Sequence, residues 1–395
     1  MMSKKTAQSP RIALVIDIDW PYKHHQGILS GILEFARPRG WRCEFTPFLG
    51  MATAKKEVVY DGIIGRATRQ LERYALDRAI PAVNVWVNSP ARKLPNVLPD
   101  QLIAGEMAAA HFVARGFRRF GFLGQQSDVS SRLLLEGFSK LLKAKRFALS
   151  QQWVKGTPIN AGEWRDFQKM LQRWKNDWTY PIAIFSSTDV LARYFIDNCL
   201  RAGLRIPQDV AVLGVGNTEM ICEMSEPRLS SIEHGNERVG IKAAELLEQM
   251  MAGDVRPAPA TLIPPAGLVT RTSTDAFAVA DLDVEKALRV IQDLSQNPVR
   301  VADILDTVPL SRRSLERRFQ EVLGCTIHDE ITRAYVERAK RLLVSTRHPL
   351  KWIATRSGFS SSQRLSKVFR AIEEVTPQEY RRRHGKTASQ AVEAP

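Results

Sequence analysis

A repeated pattern of apolar residues near the carboxyl end constrains the fold of this chain more than any other feature. The two copies are VADILDTVPLSRRSLERRFQEVLG (301–324) and LKWIATRSGFSSSQRLSKVFRAIEE (350–374). Each copy begins with apolar residues at the spacing of a short amphipathic helix and continues, after a turn, into a second helix. Two anchors of the second helix recur 50 residues later: Leu315 and Phe319 in the first copy, Leu365 and Phe369 in the second. This constant offset predicts a duplicated unit of helix, turn and helix.

Polar and charged side chains lie between the apolar anchors of each second helix. They are Arg312, Arg313, Glu316 and Arg317 in the first copy, and Gln363, Arg364 and Lys367 in the second. In the major groove of DNA, Arg and Lys pair with guanine, Gln with adenine, and Glu with the cytosine amino group. The alternative is an ordinary solvated helix face. Because duplication, charge and position after a turn agree, the sequence predicts specific binding of double-stranded operator DNA.

Basic charge is concentrated in the same region. Residues 300–386 hold 19 Lys and Arg against 10 Asp and Glu, within a chain of net charge +15. Phosphate contacts from such a surface give affinity that falls with salt and does not depend on base sequence. The exposed helices would then supply the reading of sequence.

The repeat resembles the DNA-binding domain of the AraC/XylS family, in which a long helix joins two helix-turn-helix units. The joining helix is TIHDEITRAYVERAKRLLVST (326–346), whose apolar side is formed by Ile331, Tyr335, Ala339 and Leu342. The closing stretch FRAIEEVTPQEYRRR (369–383) keeps the typical Phe369, Thr376, Pro377, Tyr380 and Arg381. Glu374 stands where the family usually has Gly. The resemblance implies five side chains that face bases: Arg313, Glu316 and Arg317 in the first unit, Gln363 and Lys367 in the second.

Short apolar runs alternate with amphipathic helical patterns from residue 11 to about 270. The runs are 11–19, 43–48, 62–65, 82–87, 117–124, 182–187 and 210–216, and the helical stretches include 23–37, 101–115, 131–145, 188–202 and 236–252. This alternation predicts an α/β domain of parallel sheets flanked by helices, with ligands at the carboxyl ends of the strands. Its length suggests two lobes with a cleft between them.

Four stretches of this α/β region resemble the effector domain of the LacI/GalR family, a relative of periplasmic sugar-binding proteins. They are FGFLG (120–124), SSRLLLEGF (130–138), STDVLAR (187–193) and DVAVLGVGNTE (209–219). The resemblance implies that the lobes exchange strands: 11–113 and 236–260 share one lobe, and 117–232 and 261–270 the other. LacI-type regulators begin with a DNA-binding domain, for which ten residues are too few. We therefore expect the carboxyl-terminal repeat to take that role.

A sugar pocket needs groups that accept and donate hydrogen bonds, together with an aromatic plate. Six residues fit these needs at strand ends and helix starts: Asp19, Trp20, Tyr22, Arg132, Asp189 and Asn217. Four of them have a structural alternative, which for Trp20 is packing between the lobes. Asp19 suits a helix cap, Asp189 suits the first turn of a helix, and Arg132 suits a surface ion pair. Gly216 stands where many relatives of the LacI type have Asp, so either Asn217 takes over that role or the pocket is smaller on that side. Trp86 is a further candidate plate, or a core residue.

The combination of these two domains resembles the bacterial regulators of xylose catabolism. It implies a transcription activator that responds to D-xylose or a similar sugar, acts as a homodimer and contacts RNA polymerase. Two alternatives remain: a regulator that responds to another monosaccharide or a sugar acid, and a DNA-binding protein whose sensor-like domain only dimerises.

Other classes of protein are disfavoured. The sequence holds no GxxxxGK[ST] or GxSxG motif, and GVGNTE (214–219) lacks the third Gly of a dinucleotide fingerprint, so an enzyme is not expected. The four cysteines are scattered, which argues against a disulfide framework, a metal site or another cofactor. Without a signal peptide or a long apolar run, the expected location is the cytoplasm. The predicted plan is a disordered arm (1–10), an effector domain (11–270), a linker (271–283), a DNA-binding domain (284–383) and a disordered tail (384–395).

Overall fold

The computed structural model describes most of the chain. The described residues are 9–16, 24–47, 49, 59–158, 160–176, 178–254, 260–278, 281–293, 300–373 and 375–384. They divide into an α/β unit that ends at Thr274 and a helical unit that begins at Asp275, with Ala110–Arg119 and Thr179–Ala183 grouped with the helical unit. The predicted fold class, α/β followed by all-α, is confirmed. The predicted arm and tail lie almost entirely outside the described residues.

The secondary structure alternates strand and helix up to Val269 and is helical after Leu282. The strands are β1 Arg11–Val15, β2 Arg42–Phe45, β3 Gly62–Gly65, β4 Ala82–Asn84, β5 Val97–Pro99, β6 Arg119–Gln125, β7 Ala148–Val154, β8 Ile182–Ser186, β9 Val210–Val215, β10 Ser230–Glu233, β11 Thr261–Ile263 and β12 Gly267–Val269. The helices are α1 His24–Ala36, α2 Arg69–Asp77, α3 Gln101–Ala114, α4 Val129–Ala144, α5 Ala161–Lys175, α6 Asp189–Arg201, α7 Glu219–Met224, α8 Asn236–Met251, α9 Leu282–Asp293, α10 Val301–Leu305, α11 Arg312–Leu323, α12 Ile327–Ser345, α13 Leu350–Ser357, α14 Ser362–Glu373 and α15 Pro377–His384. In the part of the chain that the structure describes, no helix combines the length and the apolar character needed to span a bilayer.

The first lobe is built on a parallel four-stranded sheet in the order β2-β1-β3-β4. Strands β1, β3 and β4 are buried on both faces because helices cover both sides, which is why they read as apolar runs. The edge strand β2 is only partly buried. Helix α8, more than 150 residues after β4, completes one side of this lobe by packing on α1. The two helices touch through glycines. A side chain at Gly31 would collide with the carbonyl of Glu237, and one at Gly240 with the carbonyl of Ile28.

The exchange of strands between the lobes differs from the prediction at one point. Strand β11, which the resemblance placed in the second lobe, pairs in parallel with β5, and Val97 of β5 lies in the core of the first lobe. Strand β12 pairs antiparallel with β10 in the second lobe. The chain therefore crosses between lobes after Ile263 rather than before Thr261. The apolar pattern of these three-residue strands is too short to reveal their partners.

The second lobe holds a six-stranded sheet in the order β12-β10-β9-β8-β6-β7. Aromatic side chains fill the space between this sheet and α4. The ring of Phe185 on β8 lies 5.1 Å from that of Phe138 on α4 and 5.7 Å from that of Phe122 on β6. Such contacts fix the positions of the strand ends and of the turns that follow them.

The helical unit contains two cores of similar design. Leu315 and Phe319 are buried in the first, with residues of α9, α10 and α12, and Leu365 and Phe369 are buried in the second, with residues of α12 and α13. The predicted duplication is thereby seen in the packing. Helix α12 serves both cores, and Tyr335 packs against each of them. Its core-facing side includes the predicted Ile331 and Ala339, which are buried, and the predicted Tyr335 and Leu342, which are partly buried; Leu343 is buried as well.

The segment predicted as a linker (271–283) is bonded at both ends. Ser273 donates to the carbonyl of Val212 at 2.7 Å and accepts from the amide of Ser230 at 2.8 Å, within the second sheet. At the other end, Asp281 accepts from the backbone N–H groups of Asp283 and Val284 and so starts α9.

Candidate DNA-binding surface and effector site

Helix α11 presents the first predicted set of DNA-binding residues. The hydroxyl of Ser311 accepts from the amide of Ser314 at 3.3 Å, which caps the helix and makes Arg312 its first residue. Leu315 and Phe319 are fully buried, so the opposite face of the helix points outward. All four predicted residues are exposed: Arg312, Arg313, Glu316 and Arg317.

Two ion pairs run along the exposed face of α11. Arg312 Nε lies 2.9 Å from Glu316 Oε1, and Arg317 Nη1 lies 3.6 Å from Glu321 Oε1. The side chains of the second pair are 70% and 60% exposed. Exposed pairs of this kind contribute at most about 1 kcal/mol each, so the side chains can exchange these partners for bases or phosphates.

Helix α14 presents the second predicted set. Ser361 accepts from the amide of Arg364 at 3.1 Å near the start of this helix. Leu365 and Phe369 face the core, and Gln363, Arg364 and Lys367 are exposed. Arg370 is also exposed and follows Lys367 by three residues, on the same helical face. Arg370 was not among the predicted residues, although its i+7 spacing from Gln363 places it on the same exposed face.

The residues that carry the AraC/XylS resemblance hold the last two helices together. The rings of Phe369 and Tyr380 meet edge to face at 5.3 Å, and Arg381 Nη2 donates to the carbonyl of His348 at 2.6 Å. Thr376 donates through its backbone N–H and its hydroxyl to the carboxylate of Glu379. These bonds stabilise the start of α15. Glu374, the departure from the family pattern, lies outside the described residues.

The predicted effector residues are described only in part. Asp19, Trp20 and Tyr22 lie outside the described residues. Arg132 is exposed on α4, 3.4 Å from the carbonyl of Gln126, and lines a groove together with Leu135 and Trp153. Trp86 follows β4, and the guanidinium of Arg66 lies 4.5 Å from the centre of its ring. Arg132 and Trp86 therefore lie on different lobes of the α/β unit.

Asp189, the first residue of α6, is buried and bonded within the second lobe. Its Oδ2 accepts from the amide of Thr218 at 2.7 Å, and its Oδ1 accepts from the hydroxyl of Ser231 at 2.5 Å. Burial raises the pKa of the Asp189 carboxyl, and these hydrogen bonds oppose that shift. The carboxylate therefore ties the turn after β9 to strand β10. The side chains of Cys222 and Thr218 also hydrogen-bond to this carboxylate.

Asn217 follows β9 in the left-handed conformation, with φ of 48°. Its amide donates to the hydroxyl of Ser231 at 3.0 Å, and its Oδ1 accepts from both Nη1 and Nη2 of Arg271 at 3.1 Å. Ser231 thus links Asn217 to Asp189. Among the contacts of the described residues, none joins Arg132 to this group.

Arg271, which was not among the predicted residues, belongs to this network. Its side chain is only 11% exposed, and besides Asn217 it contacts Glu223 at 2.6 Å and the carbonyl of Leu229 at 3.0 Å. The segment RTSTDAFAVAD (271–281) is rich in Ser, Thr and Ala, which favoured a linker. The single Arg directly after an apolar strand was the available indication.

Comparison with known proteins extends over both units. A periplasmic binding protein-like domain matches residues 109–274, and a helix-turn-helix domain matches residues 304–383. The chain is 30% identical over 335 residues to the xylose operon regulatory protein of Escherichia coli (strain K12), which covers 82% of this chain and 85% of that protein. The chain belongs to the family of xylose operon regulatory proteins.

Two further similarities agree with membership of the xylose operon regulatory protein family. The Haemophilus influenzae member is 30% identical over 290 residues, 73% of this chain and 74% of that protein. A solved structure described as the xylose-binding transcription activator xylR superposes with a TM-score of 0.58 and 26% identity, over 96% of this chain and all of that one. The chain is a DNA-binding transcription regulator and not an enzyme, as the sequence predicted.

Proposed function

We propose that this protein activates a sugar-catabolic operon when D-xylose occupies its effector domain. The observation that carries the proposal is the similarity to xylose operon regulatory proteins across both the effector and the DNA-binding units. The resemblance extends over 82% of the chain in the Escherichia coli case. Similarity to a relative in the DNA-binding unit alone would give no indication of which ligand the effector domain binds.

Helices α11 and α14 are the recognition helices of this proposal. Their exposed side chains Arg313, Glu316, Arg317, Gln363 and Lys367 contact bases, and Arg312 and Arg364 contact bases or phosphates. The two helices belong to repeated units, so one helical domain reads two segments of the operator. In a homodimer the two domains together read a paired site, and the spacing of half-sites follows from the dimer.

The sugar site is proposed at the carboxyl ends of the strands, where Asp189 and Asn217 lie and where Asp19, Trp20, Tyr22 and Arg132 are further candidates. D-xylose shifts the balance between two forms of the effector domain only by its difference in affinity for them. Moving a protein from 1% to 99% of the active form needs a difference of about 5.5 kcal/mol. The active form would then place the homodimer on its operator and beside RNA polymerase.

A thermal-unfolding series tests the effector. The purified chain is heated with D-xylose, L-arabinose, D-ribose, D-glucose or D-gluconate. A ligand that binds only the folded state stabilises it by about 2.7 kcal/mol at 100 times its Kd. We expect a rise in Tm with D-xylose. A rise with another sugar alone would reassign the effector, and no rise with any sugar would refute the sugar-dependent proposal.

A separate titration tests DNA reading. Affinity for an operator fragment, selected in vitro on the purified chain, is compared with affinity for random DNA as salt increases. Both are expected to fall with salt, and specific binding is expected to stay at least about 10³-fold tighter. Equal affinity for both would contradict the assignment of base contacts.

A further inference from the structure

Arg271 lies at the point where the chain leaves the effector sheet. It follows β12 and precedes the turn Thr272–Thr274. Its guanidinium donates to acceptors on three separate segments: Oδ1 of Asn217, Oε1 of Glu223 and the carbonyl oxygen of Leu229. A planar fork with five N–H donors can serve these acceptors at once, whereas a Lys ammonium cannot reproduce that geometry.

The contact between Arg271 and Asn217 fixes the orientation of the Asn217 amide. Because Arg has donors and no acceptor, the oxygen of the amide must face Arg271. The NH₂ group of Asn217 then remains for other partners, so a ligand at this turn must offer an acceptor oxygen. A hydroxyl or ring oxygen of a sugar has that character.

Asn217 is also part of a continuous chain of hydrogen bonds. The backbone N–H of Asn217 donates to the hydroxyl of Ser231, and that hydroxyl donates to the carboxylate of Asp189. Asp189 and Asn217 follow β8 and β9, neighbouring strands of the sheet, at the edge where α/β proteins bind ligands. The chain of bonds thus runs from both turns to Arg271.

The residues after Arg271 are fastened to the same strands. Ser230 Oγ accepts from the amide of Arg271 at 2.8 Å and lies 2.8 Å from the hydroxyl of Thr274. Ser273 donates to the carbonyl of Val212, and both Ser273 and Thr274 are fully buried. A displacement of the Arg271 side chain therefore acts on a short, closely bonded turn, and not on a flexible tether.

We propose that Arg271 is a positioning residue that couples the effector turns to the chain leading into the DNA-binding domain. The inference rests on the proposed function, because it takes the Asn217 turn as part of the sugar site. A ligand that accepts a hydrogen bond from the side-chain amide of Asn217 changes the bond between that amide and Arg271. The turn that follows Arg271 then changes position as well. Arg271 itself does not contact the sugar.

Two variants separate sugar binding from coupling. Arg271→Lys removes the fork and leaves the Asn217 amide in place. Asn217→Asp keeps two oxygens for the fork but loses the NH₂ group that faces a ligand. For the full-length protein, D-xylose affinity and the ratio of operator affinity with and without D-xylose are measured. Arg228→Lys is the matched control, because Arg228 contacts the same Glu223, at 3.6 Å, from an exposed position.

Coupling between two sites typically changes affinity by 5–150-fold. We expect Arg271→Lys to bring the operator ratio to about 1 while D-xylose affinity changes less than about tenfold. We expect Asn217→Asp to lose D-xylose affinity at least about tenfold and to keep the ratio once the sugar is saturating. The Arg228→Lys protein should behave as the unaltered chain.

An unchanged operator ratio in Arg271→Lys overturns the inference while the proposed function stands. Failure of the unaltered protein to bind D-xylose overturns the proposed function, and the inference with it. Should Arg271→Lys fail to fold, Glu223→Ala removes an exposed partner of the same guanidinium. That variant is then expected to lower the ratio at least about threefold, and no change would refute the coupling role.

Discussion

Arg318 of α11 is bonded to Asp281, which lies just before α9. Its Nη1 donates to Asp281 Oδ2 at 3.0 Å and to Oδ1 at 3.2 Å, and it also lies 3.1 Å from Asp283 Oδ2. Asp281 caps α9 at the same time. Helix α11 is therefore held to the segment before α9 by charge, in addition to the apolar contacts between α9 and α11.

Replacement of Arg318 should weaken the helical unit. The two side chains are 34% and 19% exposed, so Arg318→Gln is expected to cost about 1–2 kcal/mol, less than the loss of a fully buried pair. Urea unfolding of the full chain measures this change. Arg317→Gln, one residue away with an exposed partner, is the control and should stay within about 0.5 kcal/mol. Equal destabilisation by both variants would contradict the role of the Asp281 contact.

Replacement of Arg317 is expected to change DNA binding and to leave stability nearly unaltered, the reverse of what is expected for Arg318. Arg317→Ala should weaken operator binding by about 1–3 kcal/mol and relax the preference at one base position. Its stability should change little, because the side chain is exposed. Binding to a set of operators with single base changes measures the effect. The base-contact assignment fails if affinity for random DNA falls by the same factor.

The two carboxyl caps of the helix-turn-helix units should differ in their tolerance of alanine. Gly324 and Gly358 end α11 and α13 in the left-handed conformation, with φ of 71° and 100°. A Cβ at Gly324 meets no atom within 4 Å, whereas one at Gly358 would lie 2.5 Å from ring carbons of Tyr335. Gly324→Ala therefore carries only backbone strain, about 1–2 kcal/mol. Gly358→Ala also displaces Tyr335 and should cost at least about 1 kcal/mol more in thermal unfolding. Similar losses of stability in the two variants would mean that the ring of Tyr335 can move aside without cost.

Asp329 should make the stability of the helical unit depend on pH. The amide of Thr326 donates to its Oδ2 at 3.0 Å and the hydroxyl of Thr326 at 2.7 Å, and these bonds hold the pKa of the Asp329 carboxyl below its usual value. The ionised form is favoured in the folded state. Its contribution is thus complete above the unfolded pKa, near 3.9, and is lost as pH falls through the lower folded pKa.

Asp329→Asn tests this dependence. The carboxylate is exposed, so the expected cost at pH 7 is only about 0.5–1 kcal/mol. Stability of both proteins is measured by urea unfolding from pH 7 down to the acid limit of the folded state. The difference between them should shrink below about pH 4. A constant difference at all pH values would exclude the ionised cap as its source.

The elements predicted best from the sequence are those whose apolar residues coincide with their buried positions. Strand β3 was found with its observed bounds because both of its faces are buried, and the 50-residue offset located Leu315 and Leu365 in their cores. Strand β7 was missed because it lies at the edge of its sheet and carries Ser150, Gln151 and Gln152. A solvated edge strand leaves no apolar run to detect.

The effector network was less accessible to sequence reasoning. Asp189 was correctly placed at the start of a helix, but its hydroxyl partner Ser231 lies 42 residues further on. Arg271 and Asn217 are separated by 54 residues. Local patterns give the positions of turns, and the packing of the sheet decides which turns meet. For that reason the exposed faces of α11 and α14 could be predicted residue by residue, and the buried hydrogen bonds could not.

The glycine contact between α1 and α8 has a consequence for biosynthesis. The strands of the first lobe are made first, yet the helix that covers Ile28 and Ile32 begins only at Asn236. On the ribosome, the sheet around β1 must wait for about 170 further residues after β3, with apolar surface uncovered. Most of the second lobe is synthesised in that interval as one continuous stretch. The lobe whose first strands are synthesised first therefore lacks one of its covering helices until most of the other lobe has been made.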